Sequence, residues 1–235
     1  MNEVYEIRPA RPGRRSDLHE QIVAVHDGGM CLRFAGIGSP TVIFDSAIGK
    51  GRDAWNAVFS VLAQTTRVCA YDRKGIGGST TPQMRPHSSR QMADDLYELL
   101  QHAGIPGPYV LVGHSIGGIN VRLFASAHPD LVAGMVLVDA AGDPRSLWDL
   151  MPDDAQAKRR RDLRRGPEGL DWDSFVQGAV AARLECISIE NKPLAVISRG
   201  LADAPPGAAP DTEAAWLHAW NAQQAELLTL STNAV

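Results

Sequence analysis

Two rhythms alternate along this chain. Short runs rich in apolar and β-branched residues, at 41–44, 67–71, 109–112, 134–138 and 194–198, carry no polar face. Strands covered on both sides of a sheet read this way. An earlier pair, 22–25 and 30–34, brackets Asp27-Gly28-Gly29, so a hairpin is expected there. Helical patterns lie between the runs. Ser88-x-x-Gln91 is a capping box, and the residues after it set Met92, Leu96, Leu99, Leu100 and Ala103 on one face, up to the stop at Gly104. A second helix is predicted to start just after Ser115 and to end before Pro129. A last helix is predicted over 212–230, with Trp216, Trp220, Gln223 and Leu227 at helical spacing and the Trp pair packed in the core. Strand and helix in alternation predict an α/β fold, a mainly parallel sheet flanked by helices and joined by right-handed crossovers.

The rhythm breaks between 143 and 190. This stretch is charged, holds Trp148 and Trp172, and contains a basic run at 158–165. It reads as an inserted helical lid on a core made of 1–142 and 191–235, the basic run being a solvated helix face. Residues 201–210, rich in Ala, Pro and Gly, read as a loop. Lys and Arg number 23 against 27 Asp and Glu, a net charge of −4 that gives no global attraction to nucleic acid. No run approaches the ~20 apolar residues of a membrane span. Residues 1–15 are polar and lack an apolar leader segment, so a cytoplasmic location is expected. Cys31, Cys69 and Cys186 cannot form a disulfide framework and are expected to be buried thiols. No Cys/His cluster has metal-ligand spacing, so no metal is expected.

The chemistry concentrates in Tyr109-Val-Leu-Val-Gly113-His114-Ser115-Ile116-Gly117-Gly118. Here G-x-S-x-G sits directly between a predicted strand and a predicted helix, the context that gives the pattern its meaning. A sharp strand-to-helix turn exposes Ser115 at its tip, and Gly113 and Gly117 leave room where a Cβ would strike a neighbour. The first N–H groups of the helix carry partial positive charge where an oxyanion would develop. A second strand runs into the Gly-rich turn Asp72-Arg73-Lys-Gly75-Ile-Gly77-Gly78-Ser79. It lacks the Lys-Ser/Thr ending of a phosphate-binding loop, so Asp72 and Arg73 are expected to form a structural pair that pins the turn. A third strand ends in Asp45-Ser46-Ala47-Ile48-Gly49, where the N–H of Ala47 could complete an oxyanion hole with that of Ile116.

These segments resemble the α/β-hydrolase superfamily. The stretch from Asp72 to Ser79 and Gly113-His-Ser-Ile-Gly-Gly118 are similar to two of its signature segments, and Val136-Leu-Val-Asp139 looks like its next strand. The likeness covers 22–141 and 192–235. It implies a serine nucleophile, Ser115, working with a histidine and an Asp or Glu. It implies an ester-type or related acyl substrate and no cofactor, and it argues against the branches whose nucleophile is Asp. The Asp45-Ser46-Ala47 stretch departs from the His-Gly form common in the superfamily.

For the acid, Asp139 at the end of a strand is preferred, and Asp203 is the alternative. The base is the gap. The superfamily order places the histidine after one further strand. Only His128 and His218 follow Ser115, one at the far end of the elbow helix and one mid-helix between two Trp residues. The expectation is therefore that the C-terminal strand, the helix after it and the histidine are missing, and that the edge of 194–198 is bare. Two functions follow: a serine hydrolase acting through an acyl-enzyme on Ser115, or a non-catalytic relative that binds a small molecule in the same pocket.

Overall fold

A computed structural model describes residues 18–26, 28–83, 85–201, 204 and 209–235. Asp203 and the polar stretch 1–15 lie outside the described residues, as does much of the loop expected at 201–210. Among the described residues seven strands form one sheet: β1 (His19–Val25), β2 (Gly28–Ala35), β3 (Thr41–Asp45), β4 (Val68–Tyr71), β5 (Tyr109–His114), β6 (Val132–Val138) and β7 (Leu194–Ile197). Their order across the sheet is β1-β2-β4-β3-β5-β6-β7. The two N-terminal strands pair antiparallel, and every pair from β4 to β7 is parallel. After β3 the chain moves outward to β4 and then returns past β3 to β5. The carboxyl ends of β3 and β5 therefore flank a switch in winding direction, where open α/β sheets have their crevice.

Helices cover both faces because the central strands have no polar side. Helix α1 (Asn56–Leu62) lies on one face, where Phe59 packs with Phe44, Val68, Ala70 and Val112. Helices α2 (Ser89–His102) and α3 (Ile116–Ala127) cover the other, burying Leu96, Leu99, Ile119, Leu123 and Phe124 completely. The predicted capping box is present at Ser88 and Gln91. The segment 143–190 carries a short helix α4 (Arg145–Trp148), then α5 (Asp153–Arg165) and α6 (Trp172–Glu185). The basic run falls on α5, whose Lys158, Arg159, Arg160 and Arg161 are exposed. Helix α6 is seated on α2 and α3; a Cβ on Gly178 would lie 2.8 Å from Ser89. Helix α7 (Pro210–Leu228) follows β7 and buries Trp220 and Leu227.

Three expectations are corrected. The edge of β7 is not bare: Asn233, Ala234 and Val235 run parallel beside it. Leu194 N–H donates to Asn233 O at 3.1 Å, Val196 N–H to Val235 O at 2.9 Å, and Val235 N–H to Leu194 O at 3.0 Å. Asp72 and Arg73 are not each other's partners. Asp72 holds Arg52 at 2.6 Å, and Arg73 reaches Asp45 and Glu168. Cys31 is half-buried, whereas Cys69 and Cys186 are buried as expected. Among the described residues no helix is long and apolar enough to cross a membrane.

Candidate active site

Ser115 sits between β5 and α3 with φ 54° and ψ −119°, a conformation L-residues avoid. Backbone bonds hold it there. Its N–H donates to Val138 O at 3.3 Å, and its carbonyl accepts from Gly118 at 3.0 Å and Ala141 at 2.9 Å. The neighbouring glycines are required by contact. A Cβ on Gly113 would lie 2.6 Å from Gly117 O, and one on Gly117 would lie 2.8 Å from the Asp45 carbonyl carbon. The first turn of α3 thus backs onto the end of β3, joining the Ser115 corner to the Asp45-Ser46-Ala47 loop. Neither the Ile116 nor the Ala47 N–H is taken by an acceptor among the described residues.

That loop is held from beneath by a buried polar network. Asp45, fully buried, accepts from Tyr71 Oη at 2.8 Å and Asn120 Nδ2 at 3.1 Å and pairs with Arg73. Arg73 also donates to the backbone oxygens of Ser46 and Ala47. Burial alone would lower the Arg73 pKa, but Asp45 and Glu168 outweigh it and hold the guanidinium above its ordinary value. Burial, aided by Asp45, pushes the Tyr71 phenol well up, so it stays a neutral donor. Ser46 Oγ donates to Gly51 O and accepts from Trp55 Nε1, both at 2.9 Å.

Ser115 opens into a cavity of about 480 Å³. Its walls include Trp148, Trp172, Phe175, Trp216, Trp220 and Arg199. Trp148 stacks on Trp172 at 3.6 Å. Of the Trp216 and Trp220 pair, expected to be core packing, Trp220 is buried as expected and Trp216 is only half-buried; both also form part of this wall, which helical spacing could not show. Asp139 directly follows β6 with φ 46° and donates its N–H to Ile197 O at 2.6 Å. Its carboxylate is occupied by Arg199, whose Nε lies 2.9 Å from Oδ1 and whose guanidinium covers the Trp220 ring at 4.4 Å. The structure brings Ser115, Ile116 and Ala47 to one corner and sets Asp139 behind Arg199.

Among the described residues no histidine borders the cavity. His128 stacks on Tyr97 at 3.9 Å at the far end of α3, and His218 is exposed on α7. His114 points its ring at the edge of Trp55, at 6.4 Å. Burial lowers the His114 pKa, Asp139 opposes the shift and Arg199 adds to it. Sequence reasoning missed Arg199 and Glu168. Arg199 had a faint signal, its position just past the end of a strand; Glu168 had none. No group of three or more His, Cys, Asp or Glu among the described residues could hold a metal ion.

The family model described as alpha/beta hydrolase fold matches residues 40–184. A Schizosaccharomyces pombe protein is 44% identical over 111 residues, which cover 47% of this chain and 20% of that protein. Bacillus subtilis YqjL is 24% identical over 160 residues, covering 68% of this chain and 62% of YqjL. The chain thus spans less than two thirds of the length of either relative. The solved enol-lactonase from Burkholderia xenovorans LB400 superposes with a TM-score of 0.63 at 22% identity, covering 91% of this chain and 89% of that one. A matched segment holding β3 to α6, with the strained serine between β5 and α3 at its centre, fixes the assignment: this chain belongs to the alpha/beta hydrolase family.

Proposed function

We propose that this chain is a serine hydrolase acting on a small ester or related acyl compound. One observation carries the reading: Ser115, strained at the strand-to-helix corner, faces an aromatic cavity beside two N–H groups with no acceptor among the described residues. Ser115 Oγ attacks the acyl carbon, and its proton passes to a base. The N–H groups of Ala47 and Ile116 hold the oxyanion as the tetrahedral intermediate forms. As it collapses, the base returns that proton to the leaving oxygen, so an alcohol departs and leaves an acyl-enzyme, which water hydrolyses. The segment 143–190 serves as a lid rooted on α2 and α3 through α6, and Trp148 and Trp172 receive the acyl group. Asp139 is the acid of the set. Fold neighbours that include an enol-lactonase and a thermophilic esterase are consistent with acyl chemistry.

A second reading is a non-catalytic relative that binds a small molecule in this cavity. It is favoured by the lack of a histidine on the cavity wall among the described residues and by the Arg199 cover over Asp139. A fluorophosphonate probe separates the two. A hydrolase gives a covalent adduct on Ser115, found by peptide mass spectrometry, and turns over p-nitrophenyl esters; Ser115→Ala loses both. Absence of an adduct on the folded chain would refute the hydrolase reading in favour of the second.

A further inference from the structure

We infer that Glu168 is a positioning residue for the oxyanion hole, acting through Arg73 and the backbone of the loop after β3; this rests on the hydrolase reading above. Glu168 lies between α5 and α6, far along the chain from the site, and only 2% of it is exposed. Its Oε1 accepts from Arg73 Nε at 2.7 Å. Its Oε2 accepts from the Gly49 N–H at 2.6 Å. The same guanidinium donates to Ser46 O at 2.6 Å and to Ala47 O at 2.8 Å. One carboxylate therefore grips the loop twice, directly at Gly49 and through Arg73 at 46–47.

The grip has a directional consequence. The Ser46 carbonyl and the Ala47 N–H belong to one peptide unit, which is planar and trans, so they point in opposite directions. Drawing the Ser46 oxygen inward onto Arg73 turns the Ala47 N–H away from the network. Arg73 is always charged and is itself buried, so it must be met by carboxylates; Asp45 supplies one and Glu168 the other. Without Glu168 the guanidinium is drawn toward Asp45 alone, and the 46–47 peptide is free to rotate. The turn at Gly75, with φ 86°, presses on the same segment: a Cβ there would lie 2.5 Å from the Pro167 carbonyl carbon. Residues 167–168, at the root of the lid segment, and the oxyanion loop thus share one set of bonds.

The test is Glu168→Gln, with Glu168→Asp as the conservative variant, in the full chain. Two readouts are taken: amide hydrogen exchange, and the two-step kinetics of a fluorophosphonate probe. With Gln, exchange at Gly49, whose N–H Glu168 holds, should rise at least tenfold while β5 is unchanged. The maximal rate of Ser115 modification should fall about 10- to 100-fold, the range for a misplaced oxyanion donor, with the probe's half-saturating concentration unaltered. Asp should restore part of both. A folded Gln variant with unchanged exchange at Gly49, or with an unchanged maximal rate, overturns the proposal. If Gln does not fold, Asp is read by the same criteria. If the wild-type chain takes no label, the hydrolase reading fails, and exchange alone decides whether Glu168 holds the loop.

Discussion

Gly117→Ala should damage this molecule through one contact. A Cβ at 117 would lie 2.8 Å from the Asp45 carbonyl carbon and 3.0 Å from Ser46 O, both backbone atoms that no rotamer change can move. Alanine in the first turn of α3 would itself favour the helix by up to about 1 kcal/mol. Overpacking a closed contact costs about 1–3 kcal/mol, and here it falls on a sheet–helix junction with Asp45, Tyr71 and Arg73 locked beneath it. The net expectation is a loss of about 1–2 kcal/mol. For a chain of this size each kcal/mol moves Tm by about 2–4 °C, so Tm should fall by about 2–8 °C. The larger effect should be on reactivity. Relief of the contact requires the helix start and the β3 end to move apart by a large fraction of an ångström. That is the spacing between the Ile116 and Ala47 N–H groups, and a displacement of about 1 Å costs about 10²-fold in rate. The assay is fluorophosphonate labelling of Ser115 alongside a thermal melt. A variant with wild-type Tm and wild-type labelling would show that the corner has slack, and the close-approach argument would be wrong.

Ser115→Gly should abolish labelling yet raise Tm by about 2–4 °C, because relieving a strained φ returns about 1–2 kcal/mol and glycine gives back part of it in the unfolded chain; a lower Tm would mean the serine side chain stabilises the fold. His114 and His128 both have pKa values lowered by burial, opposed by Asp139 and Asp94 respectively. The unfolded chain then binds more protons than the folded one as pH falls below about 6.5, so stability drops across that window and levels off below the folded pKa values. Urea midpoints at pH 7.5 and 5.5 check this, and His114→Asn should reduce the difference; an unchanged difference would remove His114 as a source. Burial raises the Cys69 and Cys186 pKa values, so a thiol-specific disulfide reagent should modify those two only after denaturation, with all three cysteines reacting in denaturant.

What could be read in advance was what local sequence determines. The capping box at Ser88 and Gln91, the glycines around Ser115 and the apolar runs of β3 to β7 each impose their structure within a few residues. Helix α1 escaped notice because no side chain caps it and Val58 and Val61 face outward, which blurs its apolar stripe. Trp216 and Trp220 fit both a core face and a cavity wall, since the helical period is the same for either. Glu168 and Arg199 owe their roles to partners 95 and 60 residues away, at Arg73 and Asp139. The bare edge expected of β7 failed for a related reason. Asn233 to Val235 pair with it through backbone atoms, and Ser231, whose Oγ donates to Lys192 O at 2.6 Å, steers them there.

The strain at Ser115 and its reactivity have separate causes. The φ of 54° is enforced by backbone bonds to Val138, Gly118 and Ala141 and by glycine clearance, none of which involves the hydroxyl. The corner would hold its shape with or without a base. Arg199 lines the same cavity, and a guanidinium there favours negative charge developing on Oγ or on an oxyanion. A guanidinium carries no atom that accepts a proton, however, so Arg199 can stabilise an alkoxide without ever removing the proton. Asp139 could serve only through an intermediary, because the guanidinium occupies its carboxylate. Electrostatics at this site therefore lower the cost of charge while leaving proton removal unassigned, and the two readings of the cavity divide on which group takes that proton.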